Sequence, residues 1–102
     1  DQFDELLAHL ARVHPSRYGA LLDGVARVHW TGVRMVTDQA AALRLVVLAD
    51  RLYDRDIPVV ASGIALDRLF DAEMLRGGYR KKYYRAISRL VALGRQGAGL
   101  VG

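Results

Sequence analysis

This 102-residue sequence predicts an α/β fold: a small parallel βαβ unit, with strands at about 25–33 and 58–62, flanked by helices. Three observations carry that expectation. Val25 to Val33 interleaves Val28, Trp30 and Val33 with Arg27, His29 and Gly32, a partial alternation of the strand type. The stretch from Gln39 to about Asp54 keeps Leu43, Val47, Leu48 and Leu52 at roughly helical spacing. Val59, Val60 and Ala61 then form a short apolar run bounded by Pro58 and Gly63, as in a strand covered on both faces. Strand, helix, strand at this spacing gives parallel strands joined by a right-handed crossover.

Taken in order, Phe3, Leu6, Leu7, Leu10 and Val13 mark one face of a first helix. His14-Pro15 ends it, because the residue before a proline is driven out of the helical region. Ser16 is placed to cap a second helix through about Leu22, with Asp23-Gly24 closing it. The first strand follows, and Gly32 weakens its end. Thr37 or Asp38 can accept from the open amides of the next helix, whose Ala40-Ala41-Ala42 run favours helix strongly. Along that helix Asp50, Arg51, Asp54 and Arg55 set opposite charges three and four residues apart, and Asp56 and Pro58 terminate it. Beyond Ser62-Gly63, Leu66 to Phe70 reads as a short helix with Asp67 and Asp71 on its polar side, and Leu75 to Gly78 as a turn or mobile loop. Tyr79 to Leu93 is an amphipathic helix: Tyr79, Tyr83, Ile87 and Leu90 share one face, while Lys81, Arg85 and Arg89 recur at steps of four along another. Gly94 is the expected stop, dividing a folded unit over residues 1–94 from a flexible glycine-rich tail over 95–102.

Size and charge bound what the chain can do. A domain of this length buries a modest fraction of its surface. The net charge of +4 conceals an asymmetry: from Arg76 onward there are seven basic residues and no acid, against eight basic and eleven acidic residues before it. The basic end points to phosphate, nucleic acid or an acidic partner surface. The absence of cysteine excludes disulfides and thiol-based zinc or redox chemistry and suits a cytoplasmic protein. The longest apolar run, Leu45 to Ala49, is far short of the roughly 20 residues a membrane span needs, so insertion is not expected. The sequence opens on Asp1 rather than Met and is at once inside an amphipathic helix, so a longer parent is expected.

Several catalytic constellations are ruled out by the residues. A phosphate-cradling P-loop needs a lysine followed by Ser or Thr, and the only lysines, Lys81 and Lys82, are followed by Lys and Tyr. Leu45 to Asp50 imitates a Walker B strand, but Arg51 stands where the catalytic Glu belongs and the flanking pattern favours helix. His9, His14 and His29 lack companions at metal-ligand spacing, so no metal site is expected. Ser62 lacks the glycines of a nucleophile elbow. The run Tyr79 to Arg85 interleaves three tyrosines with Arg80, Lys81, Lys82 and Arg85, a composition suited to single-stranded nucleic acid. Helical spacing, however, puts Tyr79 and Tyr83 on the core face, where packing accounts for them. With Arg76, the cations Arg80, Lys81 and Lys82 form a basic surface. It is either solvated, or turned toward the rest of a larger protein, or a binding face for nucleic acid or an acidic partner through Arg76 to Arg89.

Two separated motifs carry a family resemblance. Arg44 to Asp54, Arg-Leu-Val-Val-Leu-Ala-Asp-Arg-Leu-Tyr-Asp, followed by a hydrophobic strand ending in Ala-Ser and the pair Leu69-Phe70, resembles the C-terminal region of the ZapE-like P-loop ATPases, AFG-related relatives of the AAA+ proteins. The closing signature of that family is similar to Tyr83, Arg85, Ala86, Ser88, Arg89 and Leu90. Phe3, Glu5 and Leu6 match an earlier family helix, with Leu7 in place of its usual Cys; Ser16, Tyr18 and Leu21 match a second loosely, with Arg17 where an Asp is common. Val33-Arg34 takes the place of a frequent Val-Pro.

The resemblance implies the C-terminal part of a P-loop ATPase whose nucleotide motifs lie upstream. ATP and magnesium would be cofactors of the parent, with none expected on this chain alone, and ATP hydrolysis would likewise belong to the parent. Family members are linked to bacterial cell division, and mitochondrial relatives to protein quality control. The implied partners are the upstream ATPase core of the same chain, a further copy of the chain, or a division-machinery protein. Such ATPases commonly bring an arginine from a late helix to the nucleotide, which makes Arg85 and Arg89, with Arg44 of similar standing, nucleotide-proximal candidates. The competing reading has these arginines solvated, or holding the helix through acids such as Asp50, Asp54 or Asp67.

Overall fold

In the computed structural model, which describes residues 1–101, the chain runs α1 (Phe3–Arg12), a 3-10 turn (Pro15–Arg17), α2 (Tyr18–Leu21), β1 (Val28–Val33), α3 (Gln39–Asp54), β2 (Val59–Gly63), two further 3-10 turns (Leu66–Arg68 and Met74–Arg76) and α4 (Arg80–Val101). β1, α3 and β2 make the expected parallel βαβ unit, and the α/β class holds. Val28 pairs with Val59, His29 with Val60 and Trp30 with Ala61; the register then breaks before Val33 meets Gly63. Thr31 and Gly32 lie in that break, Gly32 at φ 68. Gly63 sits at φ 119, and a Cβ there would lie 2.4 Å from the Val33 carbonyl oxygen, so neither the backbone angle nor the space admits a side chain. Asp38 is the cap of α3: its Oδ2 accepts from the Ala41 amide at 2.9 Å. The Leu45 to Asp50 stretch is accordingly helical.

The helices cover the sheet unequally. α1 packs on β1 and α3, whereas α4 packs on α3 and β2. Trp30 is buried against Phe3, with ring centroids 5.9 Å apart, and Tyr18 is buried with its hydroxyl donating to the Leu10 carbonyl at 2.7 Å. Phe70 and Tyr83 stack at 4.7 Å, and Ala86, Leu90 and Leu93 of α4 are buried with them in one continuous core that includes Leu45, Leu48, Ala49 and Leu52 of α3. Asp1 and Gln2 lie along the outer edge of β1, where the Thr31 amide donates to the Asp1 carbonyl at 3.0 Å.

Five local expectations are corrected. The first strand begins at Val28 rather than Val25, because the turn after α2 extends further: the Val25 amide donates back to the Leu22 carbonyl and Gly24 takes φ 76. The second helical stretch starts as a 3-10 turn, and its cap is His14, whose Nδ1 accepts from the Ser16 amide at 3.1 Å, instead of Ser16 itself. β2 is not covered on both faces: Val59 is buried and Val60 half-buried, but Ala61, Ser62 and Gly63 are exposed, since a strand is covered only where another element packs on it, as Gly97 of α4 does at Val59. The Leu66 segment is one 3-10 turn, after which Leu69 and Phe70 turn inward and Phe70 bridges to Val36.

The fifth correction concerns Gly94, which does not stop the last helix: α4 continues to Val101, so Arg95 to Val101 is helical, and Gly102 lies outside the described residues. Gly94 and Gly97 serve packing instead. A Cβ on Gly97 would fall 2.0 Å from the Val59 carbonyl oxygen, and one on Gly94 would fall 3.0 Å from Leu66 Cδ1. The bare backbone of α4 is what lets it lie against β2.

Candidate functional site

α3 and α4 cross so that one carboxylate faces two guanidiniums. Asp50 lies on α3, and Arg85 and Arg89, one turn apart, share a side of α4. Arg89 Nη1 donates to Asp50 Oδ1 at 2.7 Å and Arg85 Nη2 to Oδ2 at 3.2 Å. The Asp50 side chain is 16% exposed, that of Arg89 30% and that of Arg85 49%, so the Arg89 pair is the more sheltered of the two. Tyr53, one turn beyond Asp50, places its ring 4.8 Å below the Arg89 guanidinium carbon, near enough for a cation–π contact. Tyr53 was missed from sequence as part of this group, although its spacing from Asp50 is the signal that could have found it.

The cluster carries two positive charges against one negative. Both oxygens of Asp50 are occupied, while Arg85 commits only one of its nitrogens and keeps the rest of its donors at the surface. Permanently charged guanidiniums do not exchange protons at neutral pH; they bind and position anions, phosphate in particular. Of the two readings of Arg85 and Arg89, the ion pair with Asp50 is therefore present, and the free half of Arg85 leaves an anion contact open.

The other sequence candidates stand apart. Arg44 lies near Tyr18, whose phenol is pushed above its ordinary value by burial and partly drawn back by the Arg44 charge; among the described residues it makes no ion pair. Arg76, Arg80, Lys81 and Lys82 are exposed around the start of α4. Arg80 donates to the Gly77 carbonyl at 3.2 Å, and Lys82 Nζ sits 5.7 Å from the centre of the Tyr79 ring. Tyr83 is buried as expected, but Tyr79, which precedes the first helical residue, is 42% exposed rather than packed. Of the histidines, His14 is engaged with Ser16.

On the other side of α3 lies a groove with apolar walls and a rim of Asp1, His9, Arg27 and His29. Leu48 and Leu52 lie two residues either side of Asp50, about half a helical turn away, and face this groove of about 400 Å³, shared with Leu6, Leu22, Val25 and Trp30. With this geometry in place, comparison with protein families gives a match to the model described as AFG1-like ATPase over residues 1–98. The chain belongs to the AFG1-like ATPases. Neither the curated proteins nor the solved structures yield a match. The match takes in every element of this AFG1-like chain up to the last residues of α4, including both arginines and Asp50. Expected membership of the ZapE-like, AFG-related group is thereby met. Among the described residues of this AFG1-like chain, no helix is long and apolar enough to cross a membrane.

Proposed function

We propose that this chain is the C-terminal part of a ZapE-like ATPase module. It closes the nucleotide-binding core of its parent and offers Arg85 to the nucleotide from the Asp50 cluster. The observation that carries the reading is the AFG1-like ATPase match over residues 1–98 of a sequence whose two lysines cannot form a phosphate loop. In the proposal, ATP and magnesium are held by upstream residues, and Arg89, braced on Asp50 and Tyr53, sets the α4 face from which Arg85 reaches out. The parent's task is cell division or protein quality control in the cytoplasm.

Two features support an upstream core as partner. Parallel sheets are stable when several strands are covered on both faces. Here only two strands pair, and β2 leaves Ala61, Ser62 and Gly63 uncovered. The groove between α1, β1 and α3, apolar within and rimmed by charged and polar side chains, is a second surface with room for side chains of another element. The test is ATP turnover by the full-length parent with and without Arg85→Ala, after nucleotide binding and folding are checked. An arginine at the reacting phosphate is worth about a thousandfold or more in turnover, so a loss of that order with binding retained is expected. Unchanged turnover removes Arg85 from the nucleotide.

A further inference from the structure

We propose that the outward face of α4, centred on Tyr84, binds single-stranded nucleic acid. This goes beyond the ATPase reading and requires neither a nucleotide nor an upstream core.

Tyr84 is 54% exposed, the most open of the large hydrophobic side chains among the described residues. Its neighbours on the helix surface are Arg80 and Lys81, four and three residues before it, and Ser88, four after; Arg85 adjoins them. Arg95, about three turns further along, opens on a separate groove that Asp67 also lines, and stands outside the site. All of these side chains are exposed. No Asp or Glu follows Glu73 in the sequence, so α4 brings no carboxylate of its own to this face. Of the acids that reach α4, Asp50 is occupied on both oxygens and largely buried, and Asp56, which accepts from Gln96 at 3.3 Å, lies more than three turns beyond Tyr84.

Tyr79 separates itself from this site. It opens on a groove lined by Asp71 and Glu73, whose charge repels a polyanion. The usable surface is therefore one ring among three cations, Arg80, Lys81 and Arg85. Cations alone would suit any polyanion. A half-open ring among them adds a platform for an unstacked base, which a single strand supplies and a duplex or an acidic polypeptide does not.

The experiment is fluorescence anisotropy of a labelled oligothymidylate with the 102-residue chain, with folding of each variant checked by circular dichroism. Three phosphate contacts on a single strand lower the affinity about 20-fold when salt is raised from about 50 to about 200 mM. Tyr84→Ala is expected to weaken binding between about fivefold and a hundredfold, Tyr84→Phe to preserve it, and the paired change Arg80→Glu with Lys81→Glu to abolish it. Tyr84 is surface-exposed, so these variants leave the core untouched. The proposal is overturned if low salt gives no binding or if Tyr84→Ala binds like the unmodified chain. Equal affinity for duplex DNA overturns it too, and equal affinity for polyglutamate assigns the face to an acidic protein partner.

Discussion

Replacing Gly97 by alanine tests the close contact between α4 and β2. In an open helix the change would stabilise, since alanine is favoured over glycine by about 1 kcal/mol in helix interiors. At Gly97 the new Cβ would stand 2.0 Å from the Val59 carbonyl oxygen and 2.6 Å from its carbon, where ordinary contact begins near 3.4 Å. The obstacle is backbone, which cannot rotate aside, so α4 has to retreat from β2 by about 1.4 Å, the shortfall between those distances. Retreat loosens buried Leu90 and Leu93, and overpacking of this kind costs about 1–3 kcal/mol or more. With the helical gain set against the upper part of that range, a net loss of about 2 kcal/mol is expected, which lowers the melting temperature by roughly 10 °C in a domain this small.

Two companion variants calibrate the measurement. At Gly99 nothing lies within 4 Å of an added Cβ, so Gly99→Ala should stabilise by up to about 1 kcal/mol, less any fraying near the helix end. At Gly94 the nearest atom, 3.0 Å away, is the mobile tip of Leu66, and Gly94→Ala should change little. Urea denaturation followed by far-ultraviolet circular dichroism gives all three values. If Gly97→Ala is as stable as the unmodified chain or more so, α4 does not pack on Val59 as described and the glycines revert to a helix stop.

Two further predictions concern the polar groups. Asp50→Ala leaves two guanidiniums facing each other without their carboxylate and should cost about 1–2 kcal/mol, mostly through Arg89, because water screens the half-exposed Arg85 pair. A double-mutant cycle of Asp50→Ala with Arg89→Ala should return a coupling energy of that order; additive single effects would show that the pair contributes nothing. Tyr18 and Tyr83 are both held above the ordinary value of 10.0, chiefly by burial, with the Tyr79 and Asp71 charges adding to the shift at Tyr83. An acid whose folded-state value is raised lends stability that is complete below its unfolded value and is lost as pH climbs through the folded one. Urea midpoints should therefore fall above about pH 10. In phenolate absorbance, Tyr18 and Tyr83 should give a late phase that disappears when urea unfolds the chain, and its absence from the folded chain would contradict the burial of these two.

How far the candidate site could be read from sequence differs from residue to residue. That Arg85 and Arg89 share a helical side follows from their spacing, and Asp50 was among the acids that could meet them. That both meet the same Asp50, with Tyr53 beneath one of them, depends on where α4 crosses α3, thirty-five and thirty-nine residues apart in sequence. Tyr79 shows the opposite case: periodicity set it on the core face, yet the helix begins only at Arg80 and the ring is left outside.

The sequence by itself determined the elements whose cause is local. Apolar spacing set α1 and α3, the Asp38 carboxylate placed the start of α3, and two apolar runs around that helix made a parallel βαβ unit. The tertiary structure decided whatever depends on what lies across the gap. A glycine after an amphipathic stretch can end a helix or let it approach another backbone, and the Val59 carbonyl, remote in sequence, chooses the second for Gly97. An apolar run reads as a doubly covered strand whether or not an element lies over each face, and only the packed fold shows that Ala61 to Gly63 stay open. Local patterns record the free energy of nearby residues in one segment, while covering, pairing and contact belong to two segments at once and are fixed when they meet.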